Sequence, residues 1–143
     1  MFDNVLFPTD GSLWAEAATD YVLDVAAAHD ATLYALYVVE PRVPQASLRE
    51  VVVAQLTEEG QAVVDDVAEA ARDRGVDVET DVVLEHESVA TTVVEYAQRR
   101  GVDLVVLPTH GRHGLPERVL GSVTERVVRT SDVPVLTVRV DVE

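Results

Sequence analysis

The chain contains neither cysteine nor lysine. Without cysteine there are no disulfides, no thiolate metal site and no thiol nucleophile. Without lysine there is no P-loop lysine and no Schiff base, and the 11 basic residues are all arginine. No apolar run approaches the roughly 20 residues that a membrane helix needs. The opening Met1-Phe2-Asp3-Asn4-Val5-Leu6 has no basic region and passes at once into a strand pattern, so no secretory signal is expected. A cytoplasmic protein is the expectation.

Positive charge is scarce too. Against those 11 arginines stand 26 acidic residues, a formal net charge of −15. No basic patch of that composition neutralises a run of phosphates, which argues against nucleic acid as a partner. Self-repulsion on this scale is tolerable where salt is abundant, because the Debye length falls to about 3 Å at 1 M. An acid-rich, lysine-free composition therefore suggests a salt-accumulating halophile; the alternative is a merely acidic soluble protein. At 143 residues and 48% hydrophobic, the chain reads as one ordered domain, residues 1–143.

The most informative stretch is 108–124, Pro-Thr-His-Gly-Arg-His-Gly-Leu-Pro-Glu-Arg-Val-Leu-Gly-Ser-Val-Thr. It follows the apolar run Asp103-Leu104-Val105-Val106-Leu107 and leads into a helical pattern. A glycine-bearing loop between a strand and a helix N-terminus suits a phosphate. Glycine lets the backbone approach the anion, and the first N–H groups of the helix have no internal partner.

Taken in order, residues 2–8 predict a strand, followed by a turn at Thr9-Asp10-Gly11 and a helix cap at Ser12. Trp14, Ala17, Ala18, Tyr21, Val22, Val25 and Ala26 recur at helical spacing, giving a helix to about His29 with Trp14 in the core. Residues 32–39 form the second strand. After a proline-bearing loop, Ser47-Leu48-Arg49-Glu50 fits a capping box opening a long helix to about Arg74, with Gly60 as a weak point. Residues 76–84 are a third strand, 88–100 a third helix and 103–107 a fourth strand. Ser122-Val123-Thr124-Glu125 fits a second capping box for a helix ending near Ser131, and 134–140 is a fifth strand. Such alternation implies a parallel sheet covered on both faces. Ligands then bind at the carboxyl ends of the strands, where strand order reverses.

The residues resemble the universal stress protein family, in the branch associated with ATP binding. That branch carries a Gly-x2-Gly-x9-Gly-(Ser/Thr) motif, and the chain has Gly111, nine intervening residues, then Gly121-Ser122. The opening Val5-Leu6-Phe7-Pro8-Thr9-Asp10-Gly11-Ser12 and the closing Pro134-Val135-Leu136-Thr137-Val138 are also similar to the family. Two departures stand out. The motif's first glycine is Pro108, which has no N–H, and Glu85-His86-Glu87 lacks the glycine and proline often found after the third strand.

The resemblance implies a Rossmann-like α/β fold, an open five-stranded parallel sheet in the order 3-2-1-4-5. It implies ATP as cofactor, with Mg²⁺ arriving on the phosphates and held by them and by water. Asp10, beside Pro8 and Thr9, would meet the ribose, and the backbone at Val38 the adenine. Gly111, Gly121, Ser122 and Val123 would surround the phosphates, with Arg112 available as a positive charge. Plain structural roles stay open: Asp10 as a helix cap, Ser122 as another, Gly121 as a turn residue, Arg112 as a solvated surface group. His110 and His113 beside the loop invite a metal, but no third ligand accompanies them, and no metal site is expected.

The fifth strand would lie at a sheet edge, and an uncovered apolar edge invites pairing. A homodimer through that strand is expected, as in related proteins. The functional expectation is a nucleotide-binding stress or regulatory protein; the alternative is a dimeric scaffold of the same fold without nucleotide. The chain shows no nucleophile–base pair and no catalytic metal cluster. At most a slow or partner-dependent ATPase is expected.

Overall fold

In the first strand, β1 (Asn4–Pro8), neighbouring side chains point to opposite sides. Val5 and Phe7 join one core cluster, and Leu6, between them, joins another. Both faces of the sheet must therefore be covered. The first cluster takes its helical residues from α1 (Leu13–His29) and α2 (Arg49–Asp73); the second takes them from α3 (Val89–Arg99) and α4 (Ser122–Thr130). Phe7, Leu6, Leu33 and Leu36 are fully buried, each stabilising the fold by about 1.5–3 kcal/mol.

The computed structural model describes residues 1–43, 45–110 and 121–141, without the side chain of His110. The remaining strands are β2 (Thr32–Val39), β3 (Val78–Leu84), β4 (Leu104–His110) and β5 (Val135–Val140). All pairings are parallel, in the order β3-β2-β1-β4-β5. The predicted α/β class and strand order are those observed.

Three helices end alike. Gly75 (φ +71°) and Gly101 (φ +65°) take the left-handed conformation after α2 and α3, and Asp30 (φ 53°) does so after α1. In each case the following N–H reaches back across the last turn: Ala31 to the Ala26 carbonyl, Val76 to Ala71 and Val102 to Ala97. This closure satisfies carbonyls that the helix leaves open. It also explains why β3 begins at Val78 and not at Val76, since the Val76 N–H is taken up in closing the end of α2.

Neither capping box forms. Ser47 lies inside a short 3₁₀ turn, Ala46–Leu48, and α2 starts from Leu48 with no side-chain cap. Leu48 is right-handed (φ −94°, ψ −5°), whereas a capping side chain needs an extended residue. At α4 the extended residue is Gly121 (φ −73°, ψ 166°), and Ser122 is already helical. Gly60, the expected weak point, is a buried contact in α2.

The β1–β4 seam is closed at one end and open at the other. At the amino end, the Asp103 carboxylate accepts the N–H groups of Asp3 (2.9 Å) and Asn4 (3.0 Å). Registered pairing covers only Val5 with Leu104 and Leu6 with Val105. Thr9 N–H bonds to Leu36 on β2, so Pro8 faces β4; Val105 N–H bonds to Pro134 beside β5, so Pro108 faces β1. Both prolines thus occupy donor positions of this seam, and neither has an N–H to give. The strands stop pairing there. β4 nevertheless runs three residues beyond the predicted Leu107, because β5 pairs with it as far as His110.

Candidate functional site

Where the seam opens, the structure holds a cavity of about 400 Å³, within the ~300–1,000 Å³ usual for small-molecule sites. Among the described residues, the sequence-predicted Pro8, Thr9, Asp10, Val38, Gly121, Ser122 and Val123 all line it. Gly111 and Arg112 lie outside the described residues, as does His113.

The Asp10 turn is tightly specified. The Thr9 hydroxyl accepts the Gly11 N–H (3.3 Å), and an Asp10 carboxylate oxygen accepts the Ser12 N–H (2.9 Å). Ser12, not Asp10, caps α1, its hydroxyl accepting the Ala15 N–H (3.2 Å). The capping alternative for Asp10 is therefore corrected, and its carboxylate stands on the cavity wall. Gly11 has φ +75°, and a Cβ there would stand 2.7 Å from Val63 Cγ2 of α2. Only glycine meets both demands.

The opposite wall is the start of α4. No side chain caps it, and Gly121, Ser122 and Val123 line the cavity. The N–H groups and positive dipole end of a first helical turn suit an anion. A Cβ on Gly121 would have no atom of the described residues within 4 Å. The Thr124 hydroxyl donates to the Pro108 carbonyl (3.3 Å), tying α4 to β4 at the seam.

Sequence reasoning missed part of the wall. Tyr37, Glu40 and Leu56 line the cavity, and Trp14 does so as well. Trp14, expected in the core, packs against the first cluster only while partly buried. Tyr37 had a signal, since alternation places it across the sheet from Val38. Leu56 had none, because α2 reaches the cavity only through tertiary packing. Burial, then the carboxylates of Glu59 and Asp10, push the Tyr37 phenol above its usual 10, so it is neutral at ordinary pH. Glu40 pairs with Arg42 (2.7 Å). Among the described lining residues, those with an acidic or basic side chain are Asp10 and Glu40.

The pattern that defines the universal stress protein family matches residues 1–139. The chain belongs to the universal stress protein family. It is 35% identical over 144 residues to universal stress protein MJ0531 of Methanocaldococcus jannaschii, covering 97% of this chain and 83% of that protein. Among solved structures, MJ0577 of the same organism superposes with a TM-score of 0.84 at 30% identity, covering 98% of this chain and 97% of that one. A universal stress protein solved in complex with cAMP superposes with a TM-score of 0.70 at 26% identity, covering 96% and 97%. The fold of this family is thus the fold described above, with the cavity at the carboxyl ends of its strands. Among the described residues, no helix is long and apolar enough to cross a membrane.

Proposed function

We propose that this universal stress protein is a cytoplasmic, nucleotide-binding regulator that takes ATP, with Mg²⁺ on its phosphates, in the seam cavity. One observation carries the reading: Asp10, Val38 and the start of α4, distant in sequence, line one cavity where β1 and β4 part. The cAMP complex of a relative supports an adenine nucleotide as the ligand class. Asp10 would accept from the ribose, the Val38 backbone would meet the adenine, and Gly121, Ser122 and Val123 would take the phosphates with Gly111 and Arg112. Each charge-assisted hydrogen bond of this kind contributes about 1.5–3 kcal/mol, so several outweigh repulsion from nearby carboxylates. The proposed role is binding, with at most slow or partner-dependent hydrolysis.

The test is calorimetric titration with ATP and Mg²⁺ at molar salt. Asp10→Ala should weaken ATP and adenosine alike, Ser122→Ala should weaken ATP more, and Gly121→Val should abolish binding in a folded protein. Absence of heat at millimolar ATP would favour the second reading, a nucleotide-free scaffold. Pro108, which lines the cavity without an N–H, is the observation on that side.

The proposed assembly is a homodimer through β5. Among the described residues this strand pairs only with β4, and Leu136 on it is 39% exposed. Antiparallel pairing of two such edges about a two-fold axis would satisfy both. Light scattering at high salt should return the dimer mass; a monomer mass would refute it.

A further inference from the structure

The α2 helix has 25 residues, but its buried ones, Gly60, Val64, Val67, Ala68 and Ala71, begin only at Gly60. The first three turns, 49–59, bury none. They are not polar turns: they carry Val51, Val52, Val53 and Leu56, with Val51 66% exposed. Three consecutive β-branched residues are weak helix formers. This part of α2 is therefore only partly packed, through Val52, Val53 and Leu56, and has weak helix propensity, which places it toward the low-stability end of the fold.

Where full burial of α2 begins, Gly60 lies against Tyr37. A Cβ at Gly60 would stand 2.4 Å from Tyr37 Cδ1. Only glycine lets α2 lie against that ring, and the contact sets where the ring stands. Leu56 is one turn before Gly60, on the same helix face, and both Tyr37 and Leu56 line the cavity. One wall of the cavity is thus an aromatic ring seated on Gly60, and beside it an aliphatic side chain rides on turns that are only partly buried.

Resting on the nucleotide reading above, we propose that residues 49–59 are a base clamp: Leu56 closes on the heteroaromatic base against a wall set by Tyr37, with Gly60 as positioning residue. The clamp recognises the planar apolar base and is indifferent to the phosphates, which lie toward α4. Closing it buries the exposed part of Leu56 and adds packing to these partly buried turns, so ligand binding and stabilisation of this segment are one event.

The experiment compares adenosine and ATP binding by calorimetry in wild type, Leu56→Ser, Gly60→Ala, Tyr37→Leu and the Gly60→Ala/Tyr37→Leu pair. Ser122→Ala serves as the phosphate-side control. Leu56→Ser and Gly60→Ala should each weaken both ligands by the same factor, about tenfold, whereas Ser122→Ala weakens ATP more than adenosine. Adding Gly60→Ala to Tyr37→Leu should cost nothing further, because the ring it displaces is gone. Adenosine should slow amide exchange in 49–59 and leave 60–73 unchanged. Unaltered adenosine affinity in folded Leu56→Ser, or unchanged exchange in 49–59 on binding, overturns the clamp while leaving nucleotide binding intact. Failure of wild type to bind either ligand overturns the nucleotide reading and the clamp with it. Should Gly60→Ala not fold, Leu56→Ser carries the test, since Leu56 is only half-buried.

Discussion

Pro8 and Pro108 face one another's strand across the β1–β4 seam, at the two donor positions that follow its last registered pair, Leu6 with Val105. Each would have given a ladder N–H to the other strand and has none. The seam opens here for a local covalent reason, and both prolines line the cavity that results. Pro108 stands where the family motif has its first glycine, so the residue that departs from the motif also helps to form the opening.

Pro108→Gly should restore an N–H on the cavity side of β4. A single added hydrogen bond contributes about 0.5–1.5 kcal/mol, so nucleotide affinity should rise about two- to tenfold. The unfolded chain gains freedom in the same change, and stability should fall by about 0.4–1 kcal/mol or more. Calorimetric titration and denaturant unfolding read the two effects separately. Unchanged or weakened affinity would show that no ligand group meets this position.

Gly11→Ala should destabilise the protein by about 1–3 kcal/mol. The turn holds Gly11 at φ +75° with Val63 Cγ2 2.7 Å from the Cβ position, and a left-handed alanine costs about 1–2 kcal/mol before any clash. Thermal unfolding measures it. A melting temperature equal to wild type would contradict the turn geometry.

Asp30→Gly should do the reverse. Asp30 occupies the left-handed closing position that Gly75 and Gly101 occupy elsewhere, and glycine removes the strain. Relief of about 1 kcal/mol of left-handed strain is partly offset by the added freedom of the unfolded chain, so a small net gain is expected. Gly75→Ala and Gly101→Ala, which meet no steric neighbour, should each lose about 1 kcal/mol through φ alone. Denaturant midpoints across the three variants test the pattern.

Tyr96 predicts an alkaline limit. Burial, then the neighbouring Asp81 carboxylate, push its phenol up to about 12, against the opposing influence of Arg100. Below the ordinary value near 10 the phenol is protonated in both folded and unfolded chains. Above it the unfolded chain releases its proton first, so stability falls as pH climbs from about 10 toward 12. Melting temperatures over that interval should drop more gently in Tyr96→Phe. Parallel slopes would assign the alkaline loss to other groups.

Much of this protein is legible in its sequence. Val5, Leu6 and Phe7 alternate between two cores because side chains of a strand alternate, so both faces of the sheet had to be covered. Ser12 as a cap, Gly75 and Gly101 as helix ends, and the Asp10 and Gly121-Ser122 stretches at strand-to-helix junctions follow from local backbone chemistry. What lay beyond reach depended on contacts between distant segments. The Ser47 and Ser122 capping boxes failed because neighbouring turns set the backbone angles at the helix starts. Gly60 reads as a flaw in a helix until the Tyr37 ring is seen against it. Leu56 reads as one more apolar helix position until α2 is placed beside β2. Local pattern determined the elements and their order; which side chains face the cavity was decided by packing, which no single segment encodes.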